Sequence, residues 1–265
     1  ILLLAGHLDY AIRHGAISAL AIHWPDDATR KLLMQRAVQD DQELARCGAI
    51  EALAEKWPDE TTRELLEQRA VQDDHEHPRC FAIKALAEKW PDETTRELLT
   101  QRAVQDDHED PRRAAIKALA EKWPDETTRE LLKQRAVQDD HEYPRCFAIK
   151  ALAEKWPDET TRELLTQRAV QDDHEYPRCF AIGALAEKWP DETTRELLTQ
   201  RAVQDDHEDP RRAAIEALAE KWPDETTCEL LTQRAVDSSL TDEQRHEHSA
   251  ALGRLRSDFD RIVLT

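Results

Sequence analysis

The placement of the tryptophans constrains this chain more than any other feature. All seven, Trp24, Trp57, Trp90, Trp123, Trp156, Trp189 and Trp222, stand 33 positions apart, and each is followed by Pro-Asp. The other five prolines, Pro78, Pro111, Pro144, Pro177 and Pro210, hold one further phase of the same period. Self-similarity of this kind marks an array in which each repeat is one supersecondary unit. Two proline marks per unit leave two segments, each long enough for about three helical turns. Five Gly, four Phe and one Met in 265 residues leave Ala, Leu, Glu, Arg, Lys and Gln to dominate, the residues that lose least on entering a helix. The predicted fold is therefore all-α: a right-handed α-solenoid of stacked two-helix repeats over residues 1–236. Residues 237–265 read as a divergent helical C-terminal cap or the start of a following segment.

The unit around Pro91 illustrates the pattern. Pro91 and Asp92 open a first helix that runs through Thr94 to about Val104, with proline in the first turn and aspartate capping free amides. Leu98, Leu99 and Ala103 share one side, and Arg96 is placed to reach back to Asp92 across one turn. The polar stretch Gln105 to Glu109 is a tight connection, and a second helix begins at Pro111. In the preceding unit Ala82, Ile83, Leu86, Ala87 and Trp90 gather on one face at about 100° per residue. A single helix pair cannot bury both apolar stripes, so neighbouring units stack.

The positions that differ between units form one group. One phase reads Leu44, His77, Asp110, Tyr143, Tyr176 and Asp209; three residues on it reads Cys47, Cys80, Arg113, Cys146, Cys179 and Arg212. The next position reads Gly48, Phe81, Ala114, Phe147, Phe180 and Ala213, and three further it reads Glu51, Lys84, Lys117, Lys150, Gly183 and Glu216. These lie at i, i+3, i+4 and i+7, one face of the second helix, more than a quarter-turn from the Ile83 and Leu86 stripe. Aromatic residues and arginine are favoured at binding hot spots. The candidate protein-binding residues are therefore His77, Phe81 and Lys84; Asp110, Arg113 and Lys117; Tyr143, Phe147 and Lys150; Tyr176 and Phe180; and Asp209 and Arg212. The competing reading is inter-repeat packing, with Phe147 and Phe180 filling space that Ala114 and Ala213 leave to arginine stems.

The run Val104 to Leu119, V-Q-D-D-H-E-D-P-R-R-A-A-I-K-A-L, resembles the HEAT-like (PBS-lyase-type) repeat pattern of an aspartate turn followed by Val-Arg and Ala-x-x-Ala-Leu, with proline replacing the usual valine before Arg112. The longer string A-L-A-E-K-W-P-D-E-T-T-R-E-L-L is similar to HEAT arrays that follow NACHT-type nucleotide-binding domains in cyanobacterial signalling ATPases, and Asp258 to Thr265 resembles a segment that follows those arrays. The resemblance implies a non-catalytic protein-protein interaction scaffold, the sensing or regulatory arm of a larger NACHT-like ATPase. Any nucleotide hydrolysis would lie outside this sequence, which has no Gly-x-x-x-x-Gly-Lys-Ser/Thr loop. Both ends look cut, as expected for a piece of a longer protein. Two alternatives stand beside this reading: a HEAT-like bilin lyase or phycobiliprotein chaperone, and an engineered or consensus array.

A formal net charge of -19 makes a nucleic-acid backbone an unfavourable partner. No apolar run approaches the roughly 20 residues that span a bilayer, and Ile1 to Leu4 lacks the basic flank of a signal peptide. A cytoplasmic protein with neither nucleic-acid nor membrane partners is expected. Five cysteines at whole-repeat spacing are not a disulfide framework and read as reduced thiols. His75, His108, His141, His174 and His207 form a column beside paired aspartates, but successive imidazoles a full repeat apart argue against a metal site; helix capping and solvated turns explain them, so no cofactor is expected. Arg79, Arg112, Arg145, Arg178 and Arg211 recur beside the same turn and read as a structural ladder. Trp-Pro-Asp reads as packing at the junction between helices. No convergent set of nucleophile, base and orienting group is found, so no enzymatic activity is expected.

Overall fold

A computed structural model describes residues 10–236, 241–242, 245–246 and 249–253, the side chains of 10, 11 and 14 excepted. The expected cap over 237–265 therefore lies largely outside the described residues, although Ala251 is buried. The described part contains fourteen helices and no strand. First helices of the repeats are α2 (Asp27–Gln39), α4 (Glu60–Gln72), α6 (Glu93–Gln105), α8 (Glu126–Gln138), α10 (Glu159–Gln171), α12 (Glu192–Gln204) and α14 (Glu225–Ala235). Second helices are α1 (Tyr10–His23), α3 (Glu43–Lys56), α5 (Glu76–Lys89), α7 (Glu109–Lys122), α9 (Glu142–Lys155), α11 (Glu175–Lys188) and α13 (Glu208–Lys221). The architecture is an all-helical tandem array of the α-solenoid kind. No described helix is long and apolar enough to cross a membrane.

The chain divides into two compact units, Ile1–Leu131 and Leu132–Thr265. In the first, α1 packs on α3, α3 on α5 and α5 on α7, while α2, α4 and α6 each pack on the second helix of their own pair. In the second, α9 packs on α11 and α11 on α13, with α10 and α12 on their own partners. Within each unit the second helices thus share an apolar layer, built of triplets such as Ala49, Ile50, Leu53 and Ala82, Ile83, Leu86 of the first unit, all fully buried. From the first helices come Thr95, Leu99 and Ala103 and their equivalents, also buried. Leu98 is only half-buried: the buried stripe runs Thr, Leu, Ala at four-residue steps, which leaves Leu98 at its edge.

The helix starts differ from the sequence expectation in one consistent way. Asp92 is the N-cap of α6, with its Oδ1 accepting the Thr95 amide at 3.0 Å, and Pro91 stands outside the helix. The Trp90 carbonyl accepts the Asp92 amide at 2.8 Å, so Pro91 is the central residue of a tight three-residue turn that suits its fixed φ. The second helix begins at Glu109, two residues before Pro111, which takes the third helical position, where an amide would have no intrahelical acceptor. Trp90 does not join the buried stripe either. It is the C-cap of α5, its amide bonded to Leu86 O at 2.9 Å, and its indole is half-buried.

Arginine pairing couples one repeat to the next. Arg96 does not turn back to Asp92; its Nη2 donates to Asp125 Oδ1 of the following repeat at 2.7 Å. Arg30 with Asp59, Arg63 with Asp92, Arg162 with Asp191 and Arg195 with Asp224 repeat this bond at 2.6–2.8 Å. A second, buried ladder lies at the turn inside each pair. Arg46 grips Asp73 with two bonds of 3.1 and 2.8 Å, Arg79 reaches Asp106 and Asp107, and Arg145 reaches Asp172 and Asp173. The same arginines anchor on their own turn: Arg46 donates to the Asp40 carbonyl at 2.7 Å and Arg79 to that of Asp73 at 2.8 Å.

The capping aspartates and two buried aspartates of the second ladder shift in opposite directions. Hydrogen bonding from the Thr95, Thr128 and Thr194 amides, helped by the arginines, holds the Asp92, Asp125 and Asp191 carboxyls below the usual value. Burial pushes Asp106 and Asp172 up in spite of their arginines. A depressed carboxylate stabilises the fold above its unfolded pKa, and that contribution is lost as pH falls through the folded value; a raised one acts in the opposite sense. The capping aspartates outnumber the raised pair, so the melting temperature is expected to fall as pH drops through and below 3.8, as followed by far-UV circular dichroism. Removing one partner of a buried pair costs about 3–5 kcal/mol and removing an exposed cap about 1 kcal/mol. Arg79→Ala should therefore lower the urea midpoint well beyond Asp92→Ala, and equal shifts would contradict the burial argument.

Candidate second-helix interaction face

The four varying positions do not behave alike. The last row is exposed, Lys84, Lys117 and Lys150 included, and so are Leu44, Tyr143 and Tyr176 of the first row at 38–41% and His77, while Asp110 and Asp209 of that row are half-buried. The cysteine row points inward. Cys47, Cys80 and Cys146 are buried and Cys179 is half-buried, all as free thiols, filling the contact between successive second helices. Burial first, with nearby carboxylates adding to it, pushes Cys47, Cys146 and Cys179 up to about 12 and Cys80 up to about 11. The intervening row lies between these extremes. Phe81 and Phe147 are half-buried and Phe180 is 37% exposed.

Apart from Cys47-Gly48 in the first pair, two repeat types result. Where the pair reads Cys-Phe, the thiol packs inward and the ring covers the helix contact. Where it reads Arg-Ala, the arginine turns outward and pairs one turn back on its own helix, Arg113 with Asp110 at 2.7 Å and Arg212 with Asp209, while Ala114 closes the contact below. The substitutions at i, i+3 and i+4 are thus coupled by sterics: an arginine stem cannot take the buried thiol position without stranding its charge.

The structure brings the candidate residues together within each unit. In the second unit Tyr143 and Tyr176 stack with ring centroids 6.0 Å apart and planes 18° off parallel, flanked by Phe180 and by the bare Gly183, whose missing side chain leaves open space. Tyr143, the acidic Asp209 and Glu175 beside it push the Tyr176 phenol above its usual value. In the first unit Lys84 lies over the Phe81 ring at 5.5 Å. There α1, α3 and α5 frame a groove of about 730 Å³ lined by Ala21, Gly48, Glu51, Ala52, Phe81 and Lys84. Gly48 leaves the floor low where three other repeats carry phenylalanine.

The histidine column is not a set of side-chain caps. His75, His108, His174 and His207 stand at N-cap positions without capping through the imidazole; instead their backbone amides donate to Asp73, Asp106, Asp172 and Asp205 at 3.1–3.2 Å. Each ring faces the first-turn glutamate of the preceding second helix: His75 to Glu43 at 3.2 Å, His174 to Glu142 at 3.2 Å and His207 to Glu175 at 3.0 Å. Glu43, Glu142 and Glu175 were not singled out by sequence reasoning. The available signal was the glutamate opening each second helix from α3 on, preceded by histidine in five repeats and by Gln42 at α3, which places a glutamate one repeat back from each imidazole.

Residues 1–87, 63–153, 95–176, 129–218 and 162–253 each match the family described as HEAT repeats. The chain belongs to the HEAT repeat family. Among solved structures, this HEAT array is similar to YibA from Escherichia coli, with a TM-score of 0.58 and 19% identity over 96% of this chain and 90% of that one. It is also similar to the CpcE–CpcF complex of phycocyanin lyase from Nostoc sp. PCC7120, with a TM-score of 0.42 and 18% identity over 96% and 92% of the two chains. Human deoxyhypusine hydroxylase in complex with glycerol gives a TM-score of 0.39 and 17% identity over 96% and 93%. These likenesses concern the fold. No curated protein sequence matches the HEAT array.

The buried thiols have a direct chemical consequence. Because the thiolate is the nucleophile, Cys47, Cys80, Cys146 and Cys179 in the folded protein should react with DTNB at pH 8 on the order of 100-fold more slowly than after unfolding in urea. Rapid modification of these four in the native state would contradict the packing described for the cysteine row.

Proposed function

We propose that this HEAT array is a non-catalytic scaffold that holds a protein or peptide ligand against the outward rows of its second helices. The observation carrying this reading is the exposed Tyr143–Tyr176 stack with Phe180 beside it. Stacked, surface-held aromatic rings offer a partner large apolar area at low entropic cost, and tyrosine and arginine are enriched where binding energy concentrates. Phe81 and Lys84 line the groove of the first unit, with His77, Asp110, Arg113 and Lys117 on the same unit's outward rows, and Phe147, Lys150, Asp209 and Arg212 belong to the corresponding rows of the second unit. The net charge of -19 favours a neutral or basic partner surface over nucleic acid.

The likeness of the Trp-Pro-Asp units to arrays that follow NACHT-type domains supports a finer reading, in which the array is the ligand-sensing arm of a cytoplasmic signalling ATPase and the hydrolytic chemistry belongs to the ATPase domain. Packing alone also accounts for part of the aromatic row, since Phe81 and Phe147 are half-buried.

One set of variants separates the two roles. A partner captured by the array and then purified should bind a Tyr143→Ala, Tyr176→Ala, Phe180→Ala triple variant at least roughly 30-fold more weakly, with helicity unchanged and the melting temperature within a few degrees of the parent. Undiminished affinity, or a collapse in melting temperature, would instead make the aromatic row a packing device.

A further inference from the structure

One position on the varying face carries a chemistry of its own. His77 is the single histidine in a phase otherwise occupied by Leu44, Asp110, Tyr143, Tyr176 and Asp209. It follows His75-Glu76 directly, so the start of α5 carries two imidazoles and a carboxylate within three residues. The neighbouring second helix supplies another carboxylate. His75 Nδ1 lies 3.2 Å from Glu43 Oε2, and His77 Nδ1 lies 3.3 Å from the same oxygen. Ligand atoms of Glu43, His75 and Glu76 all fall within 4.8 Å of one another; His77 stands outside that trio but beside both of its carboxylates, its Nδ1 3.9 Å from Glu76 Oε1.

We propose that Glu43, His75 and Glu76, with the half-exposed His77 ring turning in as fourth ligand, form a binding site for a divalent transition-metal ion of the zinc class, bridging α3 and α5. Bonds of about 2.0–2.2 Å in tetrahedral geometry place neighbouring ligand atoms roughly 3.3–3.5 Å apart, which is close to the 3.2 and 3.3 Å separations around Glu43. Two imidazoles with two carboxylates suit zinc, nickel or copper, and do not suit magnesium or calcium, which take oxygen ligands.

Imidazole–carboxylate pairing between adjacent repeats explains the rest of the column, where one histidine meets one glutamate, as in His174 with Glu142 and His207 with Glu175. At α5 two imidazoles converge on one oxygen of Glu43, which brings more ligand atoms within reach of one cation than a single His–Glu pair does. The frame is partly fixed beforehand: the His75 amide donates to Asp73 Oδ1 at 3.2 Å, and Asp73 is in turn gripped by Arg46 at 2.8 Å. Glu43 and Glu76 are the first residues of α3 and α5, so their charges offset the positive helix N-termini that would oppose a cation. The side chains are about one-third to one-half exposed, which leaves the site open to entry and exchange. Coordination across two repeats also ties metal occupancy to the stability of their contact.

Zinc titrated calorimetrically into the full chain at pH 7.5 should show one equivalent bound more tightly than any other, with a rise in melting temperature. Cobalt in its place should give the visible absorption bands of a tetrahedral site. His77→Leu, which installs the residue that the first repeat carries at this phase, should weaken that equivalent on the order of 10–100-fold or more and abolish the cobalt bands. Glu43→Gln should weaken it likewise, and provides the test should the histidine variant fold poorly. The Tyr143→Ala, Tyr176→Ala, Phe180→Ala variant should bind the metal as the parent does. Several equal, weak equivalents, one per histidine rung and unaltered by His77→Leu, would mean adventitious binding and overturn the proposal. So would zinc bound tightly without dependence on Glu43.

Discussion

The buried aspartate at the turn of each repeat is the constraint on which the rest of the structure depends. Asp73 ends α4, accepts the His75 amide that starts α5, and receives two hydrogen bonds from Arg46 of the preceding repeat; its backbone carbonyl takes a further bond from Arg79. One side chain therefore sets the angle within a helix pair and the distance to the pair before it. Such a group is costly to bury, which is why burial pushes its counterparts Asp106 and Asp172 upward even beside arginine. It is retained because the alternative, a polar turn buried between helices without partners, would cost more.

With register fixed at that point, the second helices can share an apolar layer of alanine, isoleucine and leucine, small enough to bring the backbones close and uniform enough to repeat. The capping aspartates of the first helices add a more exposed ladder, each holding a threonine amide and an arginine from the repeat before. The surface chemistry follows from what the layer leaves over. Thiol and phenylalanine fill the contact where they occur together; arginine and alanine satisfy it differently, the arginine swinging out to an aspartate one turn back. The exposed tyrosines, the groove floored by Gly48 and the paired histidines at α5 are local departures on an otherwise constant frame, and a repeat array changes its surface in this way without disturbing its interior.

The repeat unit, its two helices, the all-α class and the buried Ala-Ile-Leu stripe were all legible in the sequence, because each rests on spacing within one unit: tryptophan and proline at fixed phases, apolar residues at helical intervals, aspartate before Thr-Thr. The outward placement of Tyr143 and Tyr176 followed from the same geometry. Only the tertiary structure decided the contacts between units. Arg96 takes Asp125 and not Asp92, Cys47, Cys80 and Cys146 face the neighbouring helix, Trp90 caps and does not fill the core, and His75 and His77 converge on Glu43. Periodicity gives every arginine an identical aspartate in its own repeat and in the next, so it cannot choose between them. That choice depends on the separation and rotation of packed helices, which arise when the apolar layers close against one another.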